Sequence, residues 1–109
     1  MKIIKNLFHN GYQKITAEEA KEMMEHQDVI IIDVREEHEY ISGHIPGSLL
    51  YPLNNIDKDH ITIDKNKVLL VYCRSGRRSQ KAAMEFVKLG YKHVYDFGGI
   101  IDWPYTIEE

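Results

Sequence analysis

Two almost unbroken apolar runs, Val29-Ile30-Ile31-Ile32-Asp33-Val34 and Val68-Leu69-Leu70-Val71-Tyr72, constrain this chain more than any other feature. A strand with one face in water alternates apolar and polar residues. A strand that is apolar at nearly every position is covered on both faces, which places it inside a parallel sheet. Parallel neighbours need crossover connections, and helical patterns flank both runs. Thr16, with Glu19 three residues later, forms a capping box for a helix over residues 17–24 whose Ala20, Met23 and Met24 share one face. Residues 36–41 read as a short helix that Gly43 stops, Ile45-Pro46-Gly47 as a turn, and Ser48-Leu49-Leu50-Tyr51 as a short strand ended by Pro52. Residues 53–66 form a polar connection with at most one helical turn. Ala82, Ala83, Phe86, Val87 and Leu89 make a helical stripe that Gly90 terminates. Val94-Tyr95-Asp96-Phe97 is a last strand, followed by Gly98-Gly99 and a short helix ending at Pro104. This alternation predicts an α/β fold with a parallel sheet and helices on both faces. The length of 109 residues suits one domain. Residues 1–12 read as an N-terminal arm and residues 13–107 as the domain.

Composition narrows the function classes. Lys and Arg number 14 and Asp and Glu 17, a net charge of −3. Nucleic-acid and membrane-surface binders carry a basic surplus, so neither partner is expected. The single cysteine, Cys73, excludes an internal disulfide, and the six histidines are scattered without ligand-like spacing. No cofactor and no metal are expected. The first residues are too interrupted for a signal-peptide core, and no run approaches the ~18 apolar residues of a membrane helix. A lone thiol fits a reducing, cytoplasmic setting.

Cys73 ends the second buried run and opens the loop Arg74-Ser75-Gly76-Arg77-Arg78-Ser79, after which a helix begins near Arg78 or Ser79. Open α/β sheets bind ligands beyond the carboxyl ends of their strands, and Cys73 lies at such an end. A free thiol titrates near ~8.5, and cationic neighbours or a helix N-terminus lower this to roughly 3.5–7.5. Arg74, Arg77 and Arg78 supply charge, the helix supplies unpaired amides, and Gly76 permits successive N–H groups to converge on an anion. The expected product is a thiolate nucleophile inside an oxyanion pocket. A buried cysteine is often only a small apolar residue; three arginines and a glycine within five positions argue against that here.

Two chemistries share this strand–loop–helix plan: dephosphorylation through a phosphocysteine, as in phosphatases and arsenate reductases, and sulfur transfer through a persulfide. Phosphocysteine loops have the spacing Cys-x5-Arg, which in this chain falls on Ser79. Arg78 stands one residue earlier and closes a tighter ring.

The loop, together with Asp33-Val34-Arg35, Glu39-Tyr40, Gly43-His44-Ile45-Pro46-Gly47-Ser48, Ala82-Ala83, Gly90-Tyr91, Val94 and Gly98-Gly99-Ile100-Ile101-Asp102-Trp103, resembles the rhodanese family of sulfurtransferases in its small single-domain form. The resemblance runs from about residue 14 to 106. It implies a rhodanese-like three-layer sandwich with a largely parallel five-stranded sheet. It implies that Cys73 takes a sulfane sulfur from thiosulfate or a similar small anion and passes it to cyanide, a thiol or a protein acceptor. Backbone amides of Arg74, Ser75, Gly76, Arg77 and Arg78 would cradle the anion, the side chains of Arg74 and Arg77 would meet the sulfonate, and Ser75 would donate at the pocket. Asp33, Arg35 and Ser79 are expected to support the site structurally, with Asp33 and Arg35 anchoring a strand end. His44 is expected to be satisfied within its turn and Trp103 to pack. A sulfur-relay carrier with a dedicated protein donor needs the same thiolate, and the sequence does not separate the two. A non-catalytic module of this family would lack the cysteine.

Overall fold

The computed structural model describes Phe8 and His9, of these two only the backbone, and residues 11–109. The strands are β1 (Phe8–His9), β2 (Tyr12–Lys14), β3 (Val29–Asp33), β4 (Leu49–Leu50), β5 (Val68–Cys73) and β6 (His93–Gly99). The helices are α1 (Ala17–His26), α2 (Glu37–Ser42) and α3 (Arg77–Lys88), with 3₁₀ turns at Leu53–Asn55 and Ile100–Asp102. One sheet has the order β1-β2-β6-β5-β3-β4. Five strands are parallel, and the two-residue β1 adds antiparallel to the free edge of β2.

The two apolar runs are neighbours at the centre of the sheet, paired from Val29↔Val68 to Asp33↔Tyr72. Side chains alternate between the faces of a strand, and β5 shows the result. Leu69, Val71 and Cys73 join one apolar cluster with Ala82, Ala83 and Phe86 of α3. Leu70 and Tyr72 join another with Ala20 of α1, Ile45 and Phe97. Helix α1 begins at the expected capping box, with both the Thr16 and Glu19 bonds formed.

Three features differ from the sequence-based expectation. Tyr12–Lys14 is a strand, and nothing in its pattern announced one. Most of the expected arm, residues 1–7 and 10, lies outside the described residues. Helix α3 begins at Arg77, one residue before the expected Arg78 or Ser79, with Gly76 as a left-handed N-cap (φ 103°). Finally, β6 carries one extra residue against β5: Val71 pairs with Asp96, and Cys73 then pairs with Gly99. Such a bulge bends the strand and re-aims its end. It falls beside Cys73.

Candidate active site

Cys73 is the last residue of β5 and only 1% exposed. Two backbone amides converge on its sulfur. The Gly76 N–H donates to Sγ at 3.0 Å and the Ser79 N–H at 3.3 Å. The first is available because Gly76 turns left-handed, a conformation that glycine adopts at little cost. The second belongs to the first turn of α3, where amides have no partner within the helix. Strand, glycine turn and helix start together form a cradle for negative charge at Sγ.

The cradle is held from behind. Ser79 is fully buried, and the one proton of its hydroxyl is shared between the carbonyls of Gly76 at 3.1 Å and Gly98 at 3.4 Å. The Arg74 carbonyl accepts the Ile101 N–H at 3.2 Å. Gly99 lies so close to the loop that a Cβ there would stand 2.1 Å from that carbonyl oxygen.

The three arginines divide. Arg78 turns to Glu39 of α2 and binds it bidentately, at 2.7 and 2.9 Å. This pair and the Glu36 N–H hold the Glu39 carboxylate far below its usual range, at about 2, against the opposing effect of burial. Arg74 and Arg77 are exposed, and neither makes an ion pair among the described residues. Ser75, Gly76 and Arg77, with Lys14 and Gln80, line a cavity of about 600 Å³ on the outer side of the loop. A larger cavity of about 850 Å³ runs between α1 and residues 103–106 and does not touch the loop.

Asp33 and Arg35 are both buried, and their contacts tie β3 to the next connection. Arg35 Nη2 donates to Asp33 Oδ2 at 2.7 Å and to the Gly43 carbonyl at 2.7 Å. The Tyr72 hydroxyl accepts the Ile45 N–H at 3.0 Å, and burial raises its pKa. His44 stacks on Tyr40 at 3.8 Å, and its Nδ1 lies 2.8 Å from the Tyr40 carbonyl. Trp103 packs on Phe97 and Tyr105. Among the described residues, no group of His, Cys, Asp and Glu is arranged to hold a metal ion, and no helix is long and apolar enough to cross a membrane.

Two residues at the site had been given no role from sequence. Glu39 sits in the quoted motif without a partner that spacing could reveal, because Arg78 is 39 positions away. Asp96 lies behind the loop, and its only signal is the Asp-x-Gly spacing of a side-chain turn.

A family model, the rhodanese-like domain, matches residues 16–104. The chain belongs to the rhodanese family. Among its rhodanese relatives is the thiosulfate sulfurtransferase GlpE of Coxiella burnetii, 36% identical over 93 residues, which span 84% of this chain and 87% of that protein. The putative sulfur carrier protein YrkF of Bacillus subtilis is also 36% identical, over 92 residues that span 83% of this chain and half of that protein. Among solved structures, a rhodanese-like domain protein from Staphylococcus aureus superposes with a TM-score of 0.77 at 31% identity, over 87% of this chain and 95% of that one. The three-layer α/β rhodanese-like fold expected from sequence is therefore the fold of this chain.

Proposed function

We propose that this protein is a sulfurtransferase that carries a sulfane sulfur on Cys73. The observation that carries this reading is the pair of amides, from Gly76 and Ser79, aimed at one buried sulfur. Fixed donors on Sγ favour the anionic sulfur before attack and meet the charge that develops there again when Cys73 becomes the leaving group. The Cys73 thiolate attacks the outer sulfur of thiosulfate or a similar donor. The new sulfur–sulfur bond forms as the donor's own breaks, and sulfite departs with the electron pair. Cys73 is left as a persulfide anion with its charge on the outer sulfur. A nucleophilic acceptor such as cyanide or a thiol then takes the outer sulfur, and the Cys73 thiolate is the leaving group.

Arg74 and Arg77, free of ion pairs among the described residues, attract the dianionic donor. Arg78 acts differently: its contact with Glu39 braces the start of α3. The relative named a sulfur carrier favours a second reading, in which a protein donor loads Cys73 and thiosulfate turnover is incidental.

Intact mass spectrometry after exposure to thiosulfate tests the first reading. The expected result is a gain of one sulfur atom, removed by a reductant and absent in Cys73→Ser. No gain from thiosulfate, with loading from a persulfidated cysteine desulfurase, would favour the carrier. No gain from either refutes both.

A further inference from the structure

Asp96 is 1% exposed and has no place in the chemistry above. It stands on β6 opposite Val71, at the point where the extra residue enters. A bulge leaves an amide without its ladder partner. Here Asp96 Oδ1 accepts that amide, the Gly98 N–H, at 3.0 Å. The turn sets Gly98 at φ +92° and brings its carbonyl to the Ser79 hydroxyl. Ser79 in turn gives its amide to Cys73 Sγ.

The second carboxyl oxygen, Oδ2, is buried with no hydrogen-bond partner among the described residues. A turn on β6 needs only one oxygen, and an orphaned buried oxygen costs stability. A serine, with one side-chain oxygen, makes such turns as well. The cost falls three hydrogen bonds from a reactive sulfur. The titratable and charged groups that face Asp96 are Tyr12 and Lys14, both of β2. Burial raises the pKa of Asp96, which favours a neutral carboxyl, while the Ser79 hydroxyl, the Gly98 amide and Lys14 oppose the shift.

We propose that Asp96 is a positioning residue for Cys73: its carboxyl holds the Gly98 bulge, and through Gly98 and Ser79 it holds the amide cradle on Sγ. The proposal rests on Cys73 being the reacting thiol. A carboxyl group at this place controls how well the sulfur is held, at a distance from any substrate.

The test is the rate at which iodoacetamide alkylates Cys73 at fixed pH, measured on protein shown to be folded by circular dichroism. This readout needs no sulfur donor. Asp96→Ala is expected to change the rate constant roughly tenfold, because a cradle displaced by a fraction of an ångström no longer fits the anion. Sulfur transfer should fall by a similar factor in kcat, with little change in KM for thiosulfate. Asp96→Asn keeps the acceptor for Gly98 and should restore most of the rate. Ser79→Ala should act in the same direction, and adding Asp96→Ala to it should bring little further change, as for residues in one chain of contacts. A folded Asp96→Ala with unaltered alkylation overturns the proposal. Should that variant fail to fold, Ser79→Ala decides, since it cuts the link and leaves the turn in place; an unaltered rate there overturns it equally. Absence of transfer in the unmodified protein would refute the sulfurtransferase reading while alkylation still decided this one.

Discussion

Cys73 and Gly99 face each other across the last pairing of β5 and β6, and each is bound by its size. Serine in place of Cys73 removes the sulfur proposed to react but not a structural staple. Cys73→Ser should fold with a melting temperature within a few degrees of the parent and acquire no sulfur from thiosulfate, because a hydroxyl is not ionised near neutral pH. Gly99 is less forgiving. Its added methyl would meet the Arg74 carbonyl oxygen at 2.1 Å, and a backbone atom cannot swing aside as a flexible side chain can. Gly99→Ala should destabilise by about 1–3 kcal/mol, the usual range for overpacking, and should lower the transfer rate more than Cys73 burial alone would suggest. Gly98→Ala is the control. Nothing lies within 4 Å of its added methyl, so only the φ of +92° opposes it, at about 1–2 kcal/mol. Urea unfolding of the two variants, with transfer rates alongside, separates a clash at the loop from strain in a turn.

At the scale of elements, the pair Glu39–Arg78 joins α2 to the first turn of α3. Its carboxylate titrates at about 2 in the folded chain against an ordinary 4.5. A carboxyl with a depressed folded pKa contributes stability that is complete above its unfolded value and vanishes as pH falls through the folded one. The unfolding free energy of the parent relative to Glu39→Gln should therefore be constant above about pH 5 and shrink between about 4.5 and 2. A gap that stayed constant over this range would separate Glu39 from Arg78 in solution. The loop that these elements hold is one residue shorter than Cys-x5-Arg. The expected outcome on the unmodified protein is turnover of thiosulfate and negligible hydrolysis of aryl phosphates, since a misfit of about 1 Å costs on the order of 100-fold. Efficient Cys73-dependent phosphatase activity without persulfide would reverse the reading.

Much of this arrangement was legible before any coordinates. The apolar runs revealed β3 and β5 because burial on both faces leaves a local mark, and Thr16 with Glu19 marked the start of α1. Tyr12–Lys14 left no such mark, because a three-residue strand borrows its order from β6. The start of α3 was legible to within a residue or two, from the loop that precedes it; the left-handed Gly76 N-cap was not, because such a glycine reads equally well as a turn. Glu39 on Arg78 is a partnership between distant segments, which only the fold reveals.

The whole molecule is a sheet with a core on each face, and its largest single aromatic contribution from α3 is Phe86, fully buried against Ala82, Val71 and their neighbours. Phe86→Ala should cost about 3–5 kcal/mol, seen as a lower urea midpoint, while the folded fraction transfers sulfur at the parent rate because α3 still begins at Gly76. Cys73 shares that core. Its side chain hangs from the central strand, on the same face as Leu69 and Val71, and not from the middle of a loop. Local openings in proteins spare central strands until global unfolding. Amide hydrogen exchange along β5 should accordingly be among the slowest in the chain. A sulfur that is 1% exposed and hangs from such a strand is shut away from solvent between turnovers, so if Cys73 carries a persulfide, its lifetime against stray oxidants should follow the movement of residues 74–78 and not the breathing of the sheet.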